Sequence, residues 1–334
     1  MQNIHLFTNQ NSGRNLRDKY RIKAFRTLLE KHGHGKVYST KSKEDLETAV
    51  SELHKQDPDS IVIDGGDGSW TAFLSMLMQY WPKEKQLPPF GLMPGGTFNI
   101  LSKQCGVKRQ KYLEEIIRAE DDELYIDEID MFRVKDNNGL ESYGFSFGIG
   151  APVTMLDELY KRKRMKYIRI LYMALRVALS SVFRDKYHQL FNQKIPLEVK
   201  AFVKKTDNGG GYEEKDYSGN FLGMLVQTIE GLGIWGGKKA FYKANRPKHF
   251  HAMGTEMDIG IFLDYAWPFL RGRPIPGMHL DVQSSRMSIK AKDSVTYQIN
   301  GEKDFFGIPY HANEMMLEHG LTVEIIKPSL KKQS

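Results

Sequence analysis

The sequence predicts two domains: an α/β domain with an open, mainly parallel sheet, followed by a β-rich, sandwich-like domain. The chain has 334 residues, which is the size of two ordinary domains. Short apolar segments alternate with helical patterns over the first third, and this alternation is typical of a parallel sheet covered by helices. After about residue 127, most segments have the pattern of strands separated by glycine-rich turns. We therefore place the domains at 1–127 and 128–306, with a C-terminal segment of about 307–334 that can pack back on the first.

The first domain is predicted from apolar segments that are each followed by a turn and a helical pattern. Its strands are predicted at Ile4–Thr8, Lys36–Ser39, Ile61–Asp64 and Phe90–Met93. Apolar residues at helical spacing predict helices at Leu16–His32, Lys43–Gln56, Trp70–Trp81 and near Ile100–Gln104. Open sheets of this kind bind ligands at the carboxyl ends of their strands. The loops that follow these strands are therefore the first candidates for a functional site.

The second domain is predicted from a series of short apolar segments. Its strands are expected at Tyr125–Val134, Ser142–Phe147, Leu197–Val203, Phe221–Ile229, Met257–Phe262, Met287–Lys290, Val295–Ile299 and Leu321–Ile326. One long helical insertion, at about 155–190, interrupts this series and is rich in basic residues.

Composition restricts the class of protein. Hydrophobic residues make up 40% of the chain and charged residues 27%, which supplies a core and excludes a wholly disordered chain. The single cysteine, Cys105, excludes a disulfide framework within one chain. The net charge of +7 favours anionic partners. Because the N-terminus lacks a signal-peptide pattern and no apolar run is long enough to cross a bilayer, we expect a cytoplasmic protein.

The strongest motif is the loop Gly65–Ser69, which follows a predicted strand and precedes a predicted helix. Its three glycines allow backbone N–H groups to approach phosphate oxygens closely. The start of the next helix adds partial positive charge, and Ser69 can cap that helix or donate to a phosphate. A plain strand–helix turn is the alternative, but it needs fewer glycines.

Two further loops follow neighbouring strands. The segment Pro94–Asn99 contains two glycines, a hydroxyl and an amide, and Asn9–Arg14 is rich in asparagine, serine and glycine. Each could be an ordinary turn if it stood alone. Together with Gly65–Ser69 they point to one polyanion at the edge of the sheet. The chain has no Walker A sequence and no Gly-x-Gly-x-x-Gly after its first strand, so a standard dinucleotide-binding fold is not expected.

These motifs, in this order, resemble the diacylglycerol kinase catalytic family, which includes bacterial lipid kinases and the sphingosine and ceramide kinases. The resemblance rests on the Gly-Gly-Asp-Gly loop at 65–68, the Pro-Gly-Gly-Thr-x-Asn loop at 94–99, Ile129-Asp130 and the segment Ile299–Glu302. It implies an ATP- and Mg²⁺-dependent kinase that phosphorylates a hydroxyl of a neutral lipid, either diacylglycerol or a ceramide or sphingoid base. It also implies an active site in the cleft between the two domains.

The resemblance assigns roles by matching position. Residues that would border or hold the nucleotide are Asn9, Asn11, Ser12, Gly13, Thr40, Gly65, Gly66, Asp67, Gly68, Ser69, Gly95, Gly96, Thr97 and Asn99. Asp67 and Asp130 would organise the Mg²⁺ of ATP, and Glu302 would be the catalytic base. From the residues alone, Glu302 would instead be an exposed residue of an Asn-Gly hairpin turn.

The sequence departs from the family pattern at three places. Ser69–Ala72 replaces the usual Thr-Leu-Asn-Glu, Asn300 replaces an aspartate, and Ser146 stands where an asparagine is common. These changes leave two alternatives open. One is a soluble nucleotide kinase similar to NAD kinases, and the other is an inactive module that binds a nucleotide or a lipid.

The stretch Lys161–Arg184 holds eight basic residues and no acidic one, with apolar residues between them. A basic amphipathic helix is typical of an element that lies on an anionic membrane surface. The alternative is a helix packed on the core with a solvated basic face. No stacking aromatics or recognition helix accompany the charge, so we expect no nucleic-acid partner. We expect peripheral association with the inner face of the membrane.

Overall fold

The computed structural model describes residues 3–18, 20–96, 99–107, 112–119, 124–161, 167–205, 211–232 and 239–328, without the side chains of 167–171 and 174. The chain divides into two compact units. Unit 1 comprises Met1–Ile129 and Thr322–Ser334, and unit 2 comprises Asp130–Leu321. Unit 2 is therefore an insertion in the chain of unit 1. The sequence had suggested crossings near residues 127 and 307, and the chain returns to unit 1 at Thr322.

Unit 1 is built from a parallel sheet and helices. Its first four strands are β1 (Ile4–Asn9), β2 (Val37–Thr40), β3 (Ser60–Gly65) and β4 (Phe90–Pro94). Its helices are α1 (Arg21–Lys31), α2 (Lys43–Leu53), α3 (Asp67–Tyr80), α4 (Ile100–Gln104) and α5 (Tyr112–Arg118). The strands pair in the order β2-β1-β3-β4, and all these pairs are parallel. The predicted α/β domain is confirmed.

Local sequence explains these elements. Every residue of β3 is buried, as expected for a strand of a parallel sheet covered on both faces. Helix α2 begins with a capping box, in which the side chains of Ser42 and Asp45 satisfy each other's backbone amides. Helix α1 begins at Arg21 and not at Leu16 as predicted, because residues 10–17 form turns.

Two long strands pass from one unit into the other along the chain. They are β5 (Leu124–Asp136) and β17 (His311–Pro328). At the end of β17, Ile325 pairs in parallel with Phe90 of β4, so the last part of the chain joins the sheet of unit 1. The hydroxyl of Tyr112 donates a hydrogen bond to the carbonyl of Ile326 in the same unit.

Unit 2 is rich in antiparallel strands, as predicted. The strands between β5 and β17 are β6 (Glu141–Gly144), β7 (Ser146–Gly150), β8 (Ile195–Lys204), β9 (Tyr212–Asp216), β10 (Gly219–Phe221), β11 (Gly223–Gln227), β12 (Phe250–Thr255), β13 (Leu280–Ser284), β14 (Arg286–Ile299), β15 (Asp304–Phe305) and β16 (Ile308–Pro309). The order β13-β12-β11-β7-β14 forms one antiparallel run. Strand β8 alternates buried and exposed residues, so one face lies on the core and the other on solvent.

Helices of unit 2 lie mainly in the predicted insertion. They are α6 (Ala151–Tyr160), α7 (Tyr167–Phe183), α8 (Lys186–Phe191), α9 (Ile259–Asp264) and α10 (Ala266–Leu270). The strand predicted at Met257–Phe262 is wrong, because the strand ends at Thr255 and helix α9 begins at Ile259. A short apolar run cannot distinguish a strand from a buried helix by periodicity. None of the helices in the described residues is long and apolar enough to cross a bilayer.

Candidate functional site

A buried polar network lies under the carboxyl end of the sheet of unit 1. The guanidinium of Arg21 donates to Asp64 with a nitrogen–oxygen distance of 2.6 Å, and both side chains are almost completely buried. The hydroxyl of Thr8 and the amide of Asn15 donate to the other oxygen of Asp64, each at 3.0 Å. A buried carboxylate is stable only when such donors surround it. This network fixes the ends of β1 and β3, from which two of the predicted loops begin.

The first loop, Asn9–Arg14, is held against the start of helix α3. The amide of Asn9 donates to Ser69 Oγ at 2.8 Å, and its oxygen accepts from the backbone N–H of Asn11 at 2.8 Å. The N–H of Ser12 donates to the carbonyl of Asn9 at 3.1 Å. Asn9 and Ser69 were both predicted to border the nucleotide, and the structure brings them into direct contact.

The two glycine-rich loops approach each other backbone to backbone. The N–H of Gly95 donates to the carbonyl of Gly65 at 2.7 Å. A Cβ atom on Gly96 would lie 2.4 Å from the Cα of Gly66, which is closer than any real Cβ contact. A Cβ on Gly65 would likewise lie 2.4 Å from the Cβ of Ser69. Only glycine fits at these positions, so the loops form one continuous backbone surface at the edge of the sheet.

Asp67 joins the first glycine-rich loop to the helix that follows the second. Its carboxylate accepts from the N–H of Ile100 at 2.9 Å and from that of Leu101 at 3.2 Å, the first residues of α4. Burial raises the pKa of the Asp67 carboxyl above its ordinary value, and these two N–H groups and Lys103 oppose that shift. Asp67 therefore caps a helix as well as facing the loops.

Asn99 closes the second loop. Its side-chain oxygen accepts from the N–H of Gly96 and its amide donates to the carbonyl of the same residue, both at 2.8 Å. Asn99 has a φ of +50°, a left-handed conformation that asparagine tolerates better than most residues. Thr97, also predicted to contact the nucleotide, lies outside the described residues.

The remaining predicted nucleotide residues of unit 1 lie at the same edge. Thr40 ends β2, and its carbonyl accepts from the N–H of Gln10 at 2.9 Å. The amide of Asn11 donates to the carbonyl of Lys41 at 2.9 Å. Gly13 lies beside the second glycine-rich loop, because the next residue, Arg14, donates its N–H to the carbonyl of Gly95 at 3.1 Å. Gly68 lies in the first turn of α3.

In unit 2, Asp130 is engaged with two donors of the same unit. One carboxylate oxygen accepts from the N–H of Lys248 at 2.6 Å, and the other lies 3.1 Å from Nε2 of His319. Asp130 thus ties β5 to β17 and to the segment before β12.

Glu302 lies on a tight turn at the end of β14. Ile299 and Glu302 exchange two backbone hydrogen bonds, at 2.9 and 3.0 Å, around Asn300 and Gly301. The φ angles of Asn300 and Gly301 are +51° and +82°, which is the left-handed pair of a type I′ turn. Glu302 is exposed. Tyr160 of α6 donates to the carbonyl of Gly301 at 3.1 Å, and Lys303 forms an ion pair with Asp157, so helix α6 supports the turn.

Asn300, one of the departures from the family pattern, is buried and keeps an acceptor role. Its side-chain oxygen accepts from the backbone N–H groups of Phe145 at 3.0 Å and Ser146 at 2.8 Å. Its own N–H donates to the carbonyl of Ser146 at 2.7 Å. An aspartate would accept the same two hydrogen bonds, so the replacement changes the charge beside Glu302 but preserves the anchoring of the turn.

A comparison with known protein families matches the segment of the chain that contains these loops. Residues 3–132 match the family model described as "Diacylglycerol kinase catalytic domain". The matched segment contains every predicted nucleotide residue of unit 1 and ends just after Asp130.

Residues 3–132 are thus similar to the diacylglycerol kinase catalytic domain.

Solved structures extend the likeness of fold beyond residues 3–132. A crystal structure of a provisionally named diacylglycerol kinase from Bacillus anthracis str. Sterne has a TM-score of 0.62 and 19% sequence identity, covering 96% of each chain. A second structure, of a protein from the same organism named as a diacylglycerol kinase, has a TM-score of 0.57 and 15% identity, again covering 96% of each chain. No curated protein matches the chain in sequence. At these identities the structures show that the two-domain fold is shared.

The sequence-based assignment of the nucleotide site in unit 1 did not include Arg14. Within the described part of the chain, Nη1 of Arg14 and Oγ of Ser12 are buried without a hydrogen-bond partner. Burial lowers the pKa of the Arg14 guanidinium, and so does the nearby Arg21. Buried polar atoms of this kind are costly unless they meet a partner. A basic residue directly after Ser12-Gly13 was the available signal.

The described acidic residues of unit 1 do not form a metal cluster by themselves. Among the described residues there is no group of three or more His, Cys, Asp or Glu side chains that could hold a metal ion. Asp67 nevertheless fits Mg²⁺ bound through ATP, since each of its oxygens accepts one N–H and keeps a second lone pair.

Proposed function

We propose that the protein is an ATP- and Mg²⁺-dependent lipid kinase that transfers the γ-phosphate to a hydroxyl of a neutral lipid. Diacylglycerol is the first candidate acceptor, and a ceramide or a sphingoid base is the next. The observation that carries the proposal is the close approach of Gly66 and Gly96, which joins two glycine-rich loops into one backbone surface. The family of residues 3–132 supports a kinase.

The proposed nucleotide site uses backbone N–H groups and two orphaned side-chain donors. The first three residues of α3, Asp67–Ser69, have N–H groups without partners inside the helix, and such groups attract phosphate. Ser12 Oγ and Arg14 Nη1 would donate to phosphate oxygens, which satisfies their unmet hydrogen bonds. Asp67 and Asp130 would hold Mg²⁺ together with the phosphates. When bound, Mg²⁺ neutralises charge on the phosphate oxygens during transfer.

The proposed reaction transfers one proton and one phosphoryl group. The hydroxyl oxygen of the lipid forms a bond to the γ-phosphorus, and the bond between that phosphorus and the β–γ bridging oxygen breaks. ADP leaves with the electron pair, and Glu302 accepts the hydroxyl proton. An exposed carboxylate on a type I′ turn suits this role, because the backbone hydrogen bonds of the turn and the contact with α6 hold the backbone at Glu302 in place. A positioned base contributes about 10²–10⁴ in rate.

The location of the acceptor lipid determines where the proposed reaction takes place. Neutral lipids with a free hydroxyl lie in bilayers, whereas ATP is dissolved in the cytoplasm. The proposal therefore includes peripheral association with the cytoplasmic face of a membrane.

The test is phosphorylation of lipid by the purified protein. Labelled ATP and Mg²⁺ are incubated with vesicles that contain diacylglycerol, ceramide or sphingosine, and the lipids are separated by chromatography. We expect label in one lipid with wild type and a loss of about 10²–10⁴ in rate with Glu302→Gln. Glu314→Gln is the matched control, because Glu314 is an exposed glutamate paired with Lys290.

Three results would contradict the proposal, each in a different way. Equal label with wild type and Glu302→Gln removes Glu302 as the base. Label transferred to NAD without vesicles, and to no lipid, identifies a soluble nucleotide kinase. Tight ATP binding by calorimetry without transfer to any acceptor identifies an inactive binding module.

A further inference from the structure

Helix α7 has a face that packs on the core of unit 2. Met173 and Val177 are buried there, in a cluster with Leu159 of α6 and Phe191 of α8. Ser180, on the same side of the helix, is completely buried. The buried face attaches α7 to the core of unit 2, and the opposite side of the helix is exposed to solvent.

The opposite side of α7 is also apolar. Five large side chains on it are exposed, at 48% for Tyr172, 57% for Leu175, 43% for Leu179, 75% for Val182 and 74% for Phe183. At about 100° per residue these five positions fall within an arc of about 100°. They extend over about 16 Å of the helix. We call this set the exposed stripe of α7.

In the sequence, charged residues precede and follow the exposed stripe, and Arg176 is the one charged residue between Tyr172 and Phe183. Arg176 points away, because its guanidinium bonds Asp185 at 2.8 Å and lies over the ring of Tyr187. Four basic residues at 162–164 and 166 precede α7 in the sequence, and the exposed Arg184 follows it. No acidic residue occurs from Lys161 to Arg184.

We propose that α7 lies flat on an anionic bilayer, with the exposed stripe inserted at the boundary of headgroups and acyl chains. The flanking cations would then contact anionic headgroups. The inference rests on the proposed function in one respect, namely that the acceptor lipid lies in a bilayer. An apolar arc with cations at its two ends is the pattern of helices that bind the membrane interface.

Charge complementarity favours a bilayer over a second copy of this chain. Two copies joined through the exposed stripe would bring their basic flanks together, whereas anionic lipid neutralises them. A stable protein interface also buries roughly 800 Å² on each partner. One row of five side chains along a single helix offers little area for a protein interface. A bilayer can bind such a row, because lipid tails surround each inserted side chain.

The first experiment places a probe on the exposed stripe. Cys105 is buried, and burial raises the pKa of its thiol to about 11, so a cysteine introduced elsewhere is the reactive one. An environment-sensitive fluorophore is attached in Leu179→Cys and, as the control, in Lys292→Cys, at an exposed position on β14. Vesicles contain phosphatidylcholine and phosphatidylglycerol in equal amounts. We expect a blue shift and quenching by spin-labelled acyl chains for the probe at 179 only.

The second experiment measures partition into the same vesicles by co-sedimentation. We expect Leu175→Ser, Leu179→Ser and Phe183→Ser each to reduce partition about tenfold, because each removes an apolar side chain from the bilayer. These side chains are exposed, so the variants should fold. Ile126→Ser is the matched control, since Ile126 is 50% exposed in β5 of unit 1. It should leave partition unchanged.

The outcomes separate this inference from the proposed function. Equal partition of the stripe variants and wild type would overturn the inference, as would a wild-type dimer in sedimentation that the stripe variants convert to monomer without losing partition. Phosphorylation of a short-chain diacylglycerol in solution, together with absent vesicle binding, would overturn the inference and leave the kinase intact. Vesicle binding through the stripe without phosphorylation of any lipid would support the inference and contradict the kinase.

Discussion

Gly66 and Gly96 lie so close that a Cβ on Gly96 would be 2.4 Å from the Cα of Gly66. Gly96→Ala must therefore move one loop away from the other. We expect ATP affinity to fall at least tenfold, since overpacking of this kind costs about 1–3 kcal/mol. Calorimetric titration with ATP measures this loss of affinity. Gly211→Ala is the control, because a Cβ there meets only the side chain of Lys205, at 3.7 Å. Equal loss in both variants would contradict a specific role for the contact.

Arg14 should contribute to nucleotide binding more than to folding. Its Nη1 is buried without a partner among the described residues, and burial lowers its pKa. We expect Arg14→Met to reduce ATP affinity about tenfold or more, because it removes a charged donor to phosphate, while unfolding by urea stays near wild type. Arg26→Met, at an exposed position of α1, should change neither quantity. Unaltered ATP affinity in Arg14→Met would show that Arg14 faces no phosphate.

The ion pair of Arg21 and Asp64 is buried, and removing only one of the two partners should strongly destabilise the folded protein. Asp64 is completely buried and would keep only Thr8 and Asn15 as side-chain donors. We expect Arg21→Met to lower the free energy of unfolding by about 3–5 kcal/mol. Lys290→Met breaks an exposed pair with Glu314 and should cost under about 1 kcal/mol. Urea denaturation measures the unfolding free energy of both variants. Similar midpoints would contradict the prediction that the buried pair contributes more to stability than the exposed pair.

Asn300 should be replaceable by aspartate but not by alanine. Its oxygen satisfies the N–H groups of Phe145 and Ser146, and its φ is +51°. Asn300→Ala leaves two buried donors unmet in a left-handed backbone, so we expect a loss of about 3 kcal/mol in unfolding free energy. Asn300→Asp keeps the acceptor and should stay within about 1 kcal/mol of wild type. The prediction fails if both substitutions destabilise equally in urea.

His251 should make unit 2 sensitive to mild acid. Its Nε2 lies 2.7 Å from Asp281 Oδ1, and Lys243 and Tyr242 bond the same carboxylate. Burial lowers the pKa of His251, although the bond to Asp281 opposes this shift. At a pH below the ordinary histidine pKa, His251 therefore binds a proton more readily in the unfolded chain than in the folded protein. The free energy of unfolding should fall as pH decreases through about 6.5 and below.

Urea midpoints at about pH 8 and about pH 5.5 test this titration in wild type and in His251→Gln. Glutamine retains an amide that can donate to Asp281 but has no proton to gain. We expect a smaller decrease with pH in the variant than in wild type. The same decrease in both proteins would assign the acid sensitivity to other groups among the ten histidines and the carboxylates.

The sequence predicted the elements that local patterns determine. β3 was predictable because the β-branched apolar run Ile61–Ile63 lies directly before Asp64 and the glycine-rich loop. The turn at Asn300-Gly301 was predictable because this dipeptide favours a type I′ turn. The parallel sheet then required the loops after β1, β3 and β4 to lie along one edge, which is why most of the nucleotide residues could be predicted.

Contacts between distant parts of the chain were not predictable. Nothing near Asp67 indicates that its carboxylate caps a helix that starts 33 residues later. The unmet donors of Ser12 and Arg14 depend on how tightly the loop packs, which the sequence does not encode locally. The late start of α1 and the helix at Ile259–Asp264 also follow from tertiary contacts; the N–H of Ile259, for example, donates to the side chain of Asn192 at 2.8 Å.

The return of β17 to unit 1 has a consequence for how the chain is made. β4 pairs with β3 on one side and acquires its second neighbour only when Ile325 has been synthesised, after the whole of unit 2. A ribosome that adds about 5–20 residues per second needs on the order of 10–40 s to make unit 2. During that time β4 has an open edge that can pair with other chains. Synthesis of unit 1 thus starts before that of unit 2 and ends after it.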